Sequence, residues 1–257
     1  MSSISLKSKY SINSDALLSV SELKEIYLFG IPVKSRDGVS ISDATFKFQI
    51  DAAQKQMEDY LNLLFNKQVY EESFNFEAEN YYNWSYLHLT YPCVKALLLE
   101  GFLNTTKQVT YPKDWITSKR TSDGVLYHRS ISIVPAGNAT ALTQQQLFTG
   151  LLPNLSFVGM SRIPDYWNIS YVTGWDKVPS NIIDAIGKLA AINVLRISGD
   201  LIISPGVPSF SLSIDGISQS KTSKAFDQRI TSMMTDLTQR ILPELKSYYK
   251  SITFAVC

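Results

Sequence analysis

The chain has 257 residues, 45% of them hydrophobic, which is long enough to bury a large core in one domain or in two. Its 24 basic and 23 acidic side chains give a net charge of +1 and form no run of like charge, which argues against a dedicated nucleic-acid reader. No stretch reaches the roughly 18 apolar residues of a membrane helix, and Cys93 and Cys257 fit no metal-ligand spacing.

The N-terminal part of the chain predicts one short and one long helix. Residues 17–27 form a short amphipathic stretch. Over residues 42–66, Ser42 or Asp43 can cap a helix, and apolar residues recur at spacings of three and four. These residues are Phe46, Ile50, Ala53, Met57, Leu61 and Leu64. The spacing predicts a long helix with one buried face.

The central region changes to short runs of aromatic and β-branched residues, interrupted by Pro, Gly and Asn. The strands that we predict cover residues 86–89, 108–111, 125–128, 131–134 and 168–173. Residues 92–101 form a continuous apolar run that fits a helix or a strand equally well. Residues 74–175 are therefore expected to be a mainly antiparallel β subdomain rich in aromatic residues.

A second long helix is predicted over residues 179–198, with Pro179 in its first turn and Gly199 as a left-handed cap. The segment 200–222 follows, and between residues 201 and 220 only Asp215 carries a charge. Alternating apolar residues before Asp215-Gly216 predict a hairpin with a tight turn. Local pattern leaves two interpretations open: a hairpin that closes on its own domain, and an extended arm that contacts another molecule. The low charge favours the arm slightly.

A third helix is predicted over residues 223–249, with a kink at Pro243, and residues 251–257 alternate like an edge strand. The predicted fold class is α+β, a helical core with an inserted β subdomain and a hairpin arm. Three parts follow in order: residues 1–73 with the first core helix, the β subdomain 74–175, and residues 176–257 with the remaining helices, the arm and the edge strand.

Sequence signatures of catalysis are missing. His88 and His128 are the only histidines, and no phosphate-binding glycine loop, zinc motif or nucleophile elbow occurs. We therefore expect a protein that is not an enzyme, with no catalytic residues, no cofactor and no metal.

One alternative uses carboxylates and aromatic residues that occur close together in the sequence, because sugar faces stack on aromatic rings. The set is Glu77, Glu79, Asp165 and Asp176 with Tyr81, Tyr82, Trp84, Tyr166, Trp167 and Trp175. It suggests a carbohydrate-binding or glycan-hydrolysing tail module. Packing of the aromatic residues in a β core is the favoured explanation.

Several segments together resemble the head-to-tail connector proteins, also called adaptor or neck-ring proteins, of tailed bacteriophages. They are residues 42–53, 111–115, 166–179, 185–192, 199–200, 211–220 and 248–250, in this order, and the resemblance extends over about two thirds of the chain. None of these segments is a catalytic signature, so the specificity of the resemblance lies in the order and combination of the segments. The β region between residues 69 and 175 is extra relative to the smallest adaptors.

The resemblance implies a structural virion protein assembled in the bacterial host cytoplasm and located at the head-to-tail interface. Its partners would be further copies of itself in a ring, typically a dodecamer, the portal protein, and a downstream neck or tail protein. Genomic DNA would pass through the ring without sequence recognition, and no membrane would be involved. A tail-completion protein is an alternative role in the same virion.

The resemblance implies that helices form the ring body and that hairpin or terminal arms clasp the neighbours or the portal. The residues expected at protein interfaces therefore lie in the arm and at the C-terminal edge. They are Phe210, Leu212, Ile214, Asp215, Gly216, Ile217, Tyr248, Tyr249 and Phe254.

Overall fold

A computed structural model of the chain describes residues 16–31, 34, 40–77, 86–120, 127–133, 162–203, 209–214, 217–222 and 226–250. These residues belong to two compact units. A β unit lies within residues 63–176, and a helical unit combines residues from 13–62 with residues from 177–251. The combination of helices and antiparallel sheets confirms the α+β class.

The helical unit begins with α1 (Val20–Glu22), which continues as a π-helical turn, Leu23–Tyr27. Helix α2 follows (Asp43–Leu61), capped by the Ser42 hydroxyl, which accepts a hydrogen bond from the Thr45 N–H at 3.3 Å. The helix ends at Leu61 and not at residue 66 as predicted. Asn62 adopts a left-handed conformation, with φ of 54°, and its N–H bonds back to the helix carbonyls.

Helix α3 spans Ser180–Ile203 and is the most buried helix of the unit. The predicted end at Gly199 is wrong, because the helix continues through Gly199 and Asp200 to Ile203. A glycine inside a helix costs about 1 kcal/mol relative to alanine and does not by itself end the helix. Its buried residues form a wide apolar band: Ile182, Ala185, Ile186, Ala190, Ala191, Ile192, Val194 and Leu195.

The C-terminal helix alternates between α and π segments. Helix α4 (Asp227–Asp236) passes into the π turn Leu237–Ile241, then α5 (Leu242–Leu245), then a second π turn, Lys246–Lys250. Pro243 lies in the first turn of α5, directly after a π turn, and the helical residues continue past it. The C-terminal helix begins at Asp227, four residues later than the predicted start at residue 223.

The β unit contains a four-stranded and a three-stranded antiparallel sheet. The order in the first is β1–β7–β3–β4, formed by Gln68–Glu77, Arg162–Thr173, Lys95–Leu103 and Thr106–Thr110. The order in the second is β2–β6–β5, formed by Tyr86–His88, Tyr127–Ile133 and Ile116–Arg120. A single 3₁₀ turn, Lys113–Trp115, precedes β5.

Most predicted strands are found, with different limits. The ambiguous run 92–101 contributes β3, and the two strands predicted at 125–128 and 131–134 correspond to one strand, β6. Strands β1 and β5 were not predicted. The expected domain limit between residues 73 and 74 falls inside β1.

The two ends of the β unit lie side by side. Asn66 and Trp175 form a parallel bridge, and the Trp175 N–H donates to the Phe65 carbonyl at 3.1 Å. The Phe65 and Trp175 ring centroids are 5.8 Å apart. Gly174 makes this approach possible, since its φ is +94° and an added Cβ would overlap the Asn66 carbonyl group.

Candidate functional site

The predicted hairpin is present in the helical unit. Strands β8 (Ser209–Ile214) and β9 (Ile217–Thr222) pair antiparallel, in a register that runs from Ser209↔Thr222 to Ile214↔Ile217. Two residues, Asp215 and Gly216, are left to connect the strands, as the Asp-Gly pattern predicts. Both lie outside the described residues.

The register divides the hairpin into two faces of different chemistry. Directly paired residues of antiparallel strands share a face, and successive residues alternate between faces. One face, here called the apolar face, carries Phe210, Leu212, Ile214, Ile217, Gln219 and Lys221. The other, here called the hydroxyl face, carries Ser209, Ser211, Ser213, Ser218, Ser220 and Thr222. The four apolar residues predicted at an interface thus occupy a single face.

An isolated hairpin with two strands is marginally stable in water, and stability requires packing on a further surface. Among the described strands, β8 and β9 pair only with each other. An apolar face opposite a hydroxyl face is the arrangement expected of a hairpin that packs against protein on one side only.

The C-terminal positions predicted at an interface differ in exposure. Tyr249 is buried within the helical unit, and its hydroxyl lies 3.5 Å from the Asn181 side-chain oxygen. Tyr248 keeps 42% of its surface exposed and stacks edge-on against Tyr249. Phe254 lies outside the described residues. Of the two described tyrosines, Tyr248 is the one that offers surface to a partner.

A cluster of ion pairs joins α3 and α4, the helices that flank the hairpin in the sequence. The Lys188 ammonium donates to Asp184, at 2.8 Å, and to Asp236. The Asp236 carboxylate also accepts two bonds from Arg240, at 2.7 and 3.1 Å. Hydrogen bonds from Arg240 and then from Lys188 lower the pKa of Asp236 to about 2. The cluster therefore stabilises the contact between α3 and the C-terminal helix only while Asp236 is ionised.

Asp236→Asn is expected to remove part of the acid sensitivity of the helical unit. A carboxylate whose pKa is lowered on folding contributes stability above its ordinary pKa of 3.8, and this contribution is lost as the pH falls towards 2. The wild-type protein should therefore be more stable than the variant at pH 6, and the difference should shrink between pH 4 and pH 2. Urea unfolding followed by circular dichroism at several pH values measures this difference. A difference that stays constant over that range would contradict the assignment.

A second surface feature of the helical unit is the segment 23–31, which follows α1. Leu23 and Leu28 are buried, whereas Ile26 and Phe29 keep 63% and 75% of their surface exposed. The Arg229 guanidinium fixes the end of the segment by donating to the Tyr27 and Phe29 carbonyls, at 2.9 and 3.1 Å. Two exposed apolar side chains are thus held on rigid backbone.

The Tyr27 side chain anchors the same segment to α3. Its hydroxyl bonds to Asp184 at 3.3 Å, and its ring lies so close to Gly187 that an added Cβ there would overlap it. Burial, with Asp184 nearby, raises the pKa of Tyr27 to about 12. The sequence pattern indicates an amphipathic stretch over residues 17–27 but does not indicate the exposed pair, since Phe29 lies beyond that stretch.

The residues of the carbohydrate alternative do not form a cleft in the described part of the β unit. Tyr166 and Trp167 are fully buried in the β core, so neither ring can stack on a sugar. Trp175 packs on Phe65, and Glu77 and Asp176 pair with Arg162 and Lys67. Glu79, Tyr81, Tyr82 and Trp84 lie outside the described residues.

None of the described helices is long and apolar enough to cross a membrane. No group of three or more His, Cys, Asp or Glu side chains in the described ranges is arranged to hold a metal ion.

Comparison with known proteins identifies no family. No family model matches the chain, and no curated protein matches it. Among solved structures, a chain from one described as "Neck of empty GTA particle computed with C6 symmetry" is similar at a TM-score of 0.39 and 14% identity. The similar region covers 68% of this chain and 76% of that chain, and likeness of this degree does not assign the protein to a family.

Proposed function

We propose that the chain is a non-enzymatic structural protein of a tailed-bacteriophage virion, which forms an oligomeric ring in the neck. The ring joins the portal protein to a downstream neck or tail protein and extends the channel through which DNA passes. The assignment to the neck depends on the sequence segments that resemble connector proteins. The assignment to an assembling protein depends on one observation, the separation of apolar and hydroxyl residues onto opposite faces of the hairpin.

The hairpin supports a role in assembly because of its composition as well as its faces. Of the described hairpin residues only Lys221 is charged, so the apolar face can be buried with little charge to desolvate. Helices α3 and α4, which flank the hairpin in the sequence, are joined to each other by the Lys188–Asp236 ion pair. An apolar projection that repeats in every copy is suited to the heterologous contacts of a ring.

The near-neutral charge of the chain suits the proposed channel. Dense lysine or arginine would bind DNA phosphates through counterion release and would hold the DNA in place. With 24 basic and 23 acidic residues, the chain carries no such excess, which is compatible with DNA that slides through the ring.

Replacement of residues 209–222 by Gly-Ser-Gly is expected to leave a folded protein that no longer enters virions. The helix α3 ends at Ile203 and α4 begins at Asp227, so this replacement removes the hairpin and no helical turn. Circular dichroism and thermal unfolding would verify folding, and electron microscopy of particles would show heads that lack the neck ring. Normal particles containing the shortened protein would contradict the proposed role of the hairpin.

The position of the wild-type protein in intact particles tests the proposal as a whole. The proposal expects a ring at the vertex between head and tail. A location at the end of the tail would indicate a tail-completion protein instead. A location on the tail fibres would favour a carbohydrate-binding module.

A further inference from the structure

Strand β1 lies at one edge of the four-stranded sheet, and among the described strands it pairs only with β7. From Gln68 to Phe74 its register is regular, with no bulge and no proline. Natural sheets usually protect such an edge with lysine, proline or a bulge, because free N–H and C=O groups bind other strands. The open edge of β1 is therefore a surface for strand addition that the proposed function does not yet explain.

The hydrogen bonds of the sheet show which backbone groups of β1 face the open edge. The Val172 carbonyl of β7 accepts from the N–H of Val94, which precedes β3, at 2.9 Å, so Val172 points its backbone groups towards β3. Successive residues of a strand alternate in direction, so Tyr171 points towards its partner in β1, Tyr70. The residues of β1 that alternate with Tyr70 point their N–H and C=O groups to the open edge. They are Val69, Glu71 and Ser73.

The open edge of β8 in the hairpin has a matching arrangement. Two residues separate Ile214 from Ile217, which places a hydrogen bond across the turn from the Ile217 N–H to the Ile214 carbonyl. Ile214 therefore points its backbone groups towards β9, and Phe210 and Leu212 do the same. The residues of β8 that point theirs to the open edge are those of the hydroxyl face: Ser209, Ser211 and Ser213.

We propose that β8 of a second copy adds to the open edge of β1 as a fifth, antiparallel strand of that sheet. This inference rests on the proposed function, which it deepens by naming the two surfaces that meet. Among the described strands of one copy, β1 and β8 belong to different sheets, so both edges are open. Each copy carries one of each, so the contact is heterologous and can repeat around a ring.

Strand addition places each face of the hairpin beside residues of its own character. Residues that bond directly across two strands share a face, so the serines of β8 lie on the face of Val69 and Glu71, whose side chains are exposed. The apolar residues of β8 then lie on the opposite face, which carries Tyr70 and Phe74. Both rings are only partly buried against the core of the β unit, so further apolar cover would stabilise them.

Charge favours β8 over two other strands as the occupant. If β1 paired with β1 of a second copy about its middle residue, the two Glu71 carboxylates would lie opposite each other and destabilise the pair. In β9, Gln219 and Lys221 belong to the apolar face, so addition of β9 would place an ammonium group on the face of Tyr70 and Phe74. Strand β8 carries no charge.

A proline at position 71 tests the open edge in the full-length protein. Glu71→Pro removes an N–H that points out of the sheet and leaves the bonds between β1 and β7 in place, whereas Glu71→Ala removes the same side chain and keeps the N–H. Circular dichroism and tryptophan fluorescence verify folding, and sedimentation velocity measures self-association. Association should weaken at least about tenfold in Glu71→Pro and less than about threefold in Glu71→Ala.

Each other outcome of this comparison contradicts a stated part of the proposal. Equal losses in the two variants would show that the carboxylate, and not the backbone, makes the contact. No loss in either would show that no strand adds to β1. An unfolded β unit in Glu71→Pro would show that this N–H is used within the sheet. These three results overturn the strand addition and leave the ring intact, whereas a wild-type protein that sediments as a single copy would contradict the ring as well.

Photocrosslinking identifies the strand that is added. Val69→p-benzoylphenylalanine places the probe at the open edge, since Val69 keeps 55% of its surface exposed. Leu103→p-benzoylphenylalanine is the matched control, because Leu103 is 38% exposed and lies beside β4, the opposite edge strand of the same sheet. Nitrogen-15-labelled and unlabelled protein are mixed before irradiation, so that mass spectrometry separates links between copies from links within one copy.

The expected product joins position 69 of one isotopic form to residues 209–214 of the other. Position 103 should give at least about tenfold less of it, because only surfaces in direct contact are captured. A link from position 69 to the hairpin of the same copy would overturn the proposal, and so would a link to any other segment.

Discussion

Leu212→Lys is expected to abolish self-association of the chain, whereas Ser211→Lys is expected to leave it within about threefold of wild type. The two positions are neighbours in β8, and the register places Leu212 on the apolar face and Ser211 on the hydroxyl face. Both variants add the same charge to the same strand. Any difference between them therefore reports which face meets a partner.

The expected size of the Leu212 effect follows from desolvation. Burial of an unpaired ammonium in an apolar contact costs several kcal/mol, and each 1.4 kcal/mol weakens association about tenfold. A loss of more than about 100-fold is therefore expected for Leu212→Lys. Sedimentation velocity over a range of concentrations measures both variants. Equal losses in the two would show that charge alone disturbs assembly, and no loss in either would show that the apolar face is not buried.

Gly174→Ala is expected to destabilise the β unit by about 2–5 kcal/mol. A residue with a Cβ costs about 1–2 kcal/mol in the left-handed region, and Gly174 has φ of +94°. Its added Cβ would also overlap the backbone of Asn66 and Lys67, and overpacking adds about 1–3 kcal/mol. Backbone atoms cannot move aside as a flexible side chain can.

The matched control for this prediction is Gly30→Ala. Gly30 also has a positive φ, +77°, and an added Cβ there meets no atom within 4 Å. Only the conformational cost of about 1–2 kcal/mol is expected. All four tryptophans of the chain lie between residues 63 and 176, so tryptophan fluorescence during urea unfolding reports the β unit, and circular dichroism follows the helical unit that contains Gly30. A Gly174→Ala midpoint equal to that of wild type would contradict the expected clash.

Local patterns in the sequence predicted the hairpin and the buried face of α2, although not the end of α2, because the determinants of both features are local. The Asp-Gly turn with alternating apolar residues sets the hairpin, and spacings of three and four set the buried face of α2. Strand β1 was missed because Gln68–Glu77 is rich in glutamate and lies at a sheet edge. Its partner, β7, begins about ninety residues later, and such non-local pairing has no local signal.

The candidate site shows the same division between local and non-local information. The alternation over residues 209–222 indicated that Phe210, Leu212 and Ile214 are equivalent, and the pairing added Ile217 to the same face. The exposed pair at Ile26 and Phe29 depends instead on Tyr27 packing against Gly187 and on Arg229. These contacts join residues about 160 and 200 positions apart, which spacing rules do not describe.

The bridge between Asn66 and Trp175 has a consequence for how this architecture could arise and change. Because the first and last backbone segments of the β unit lie side by side, this unit can be exchanged, enlarged or lost without a change in the backbone of the helical unit. Proteins with the same helical scaffold are therefore expected to differ most between residues 63 and 176. A variant in which a short loop replaces the β unit should keep the hairpin and its neighbouring helices folded.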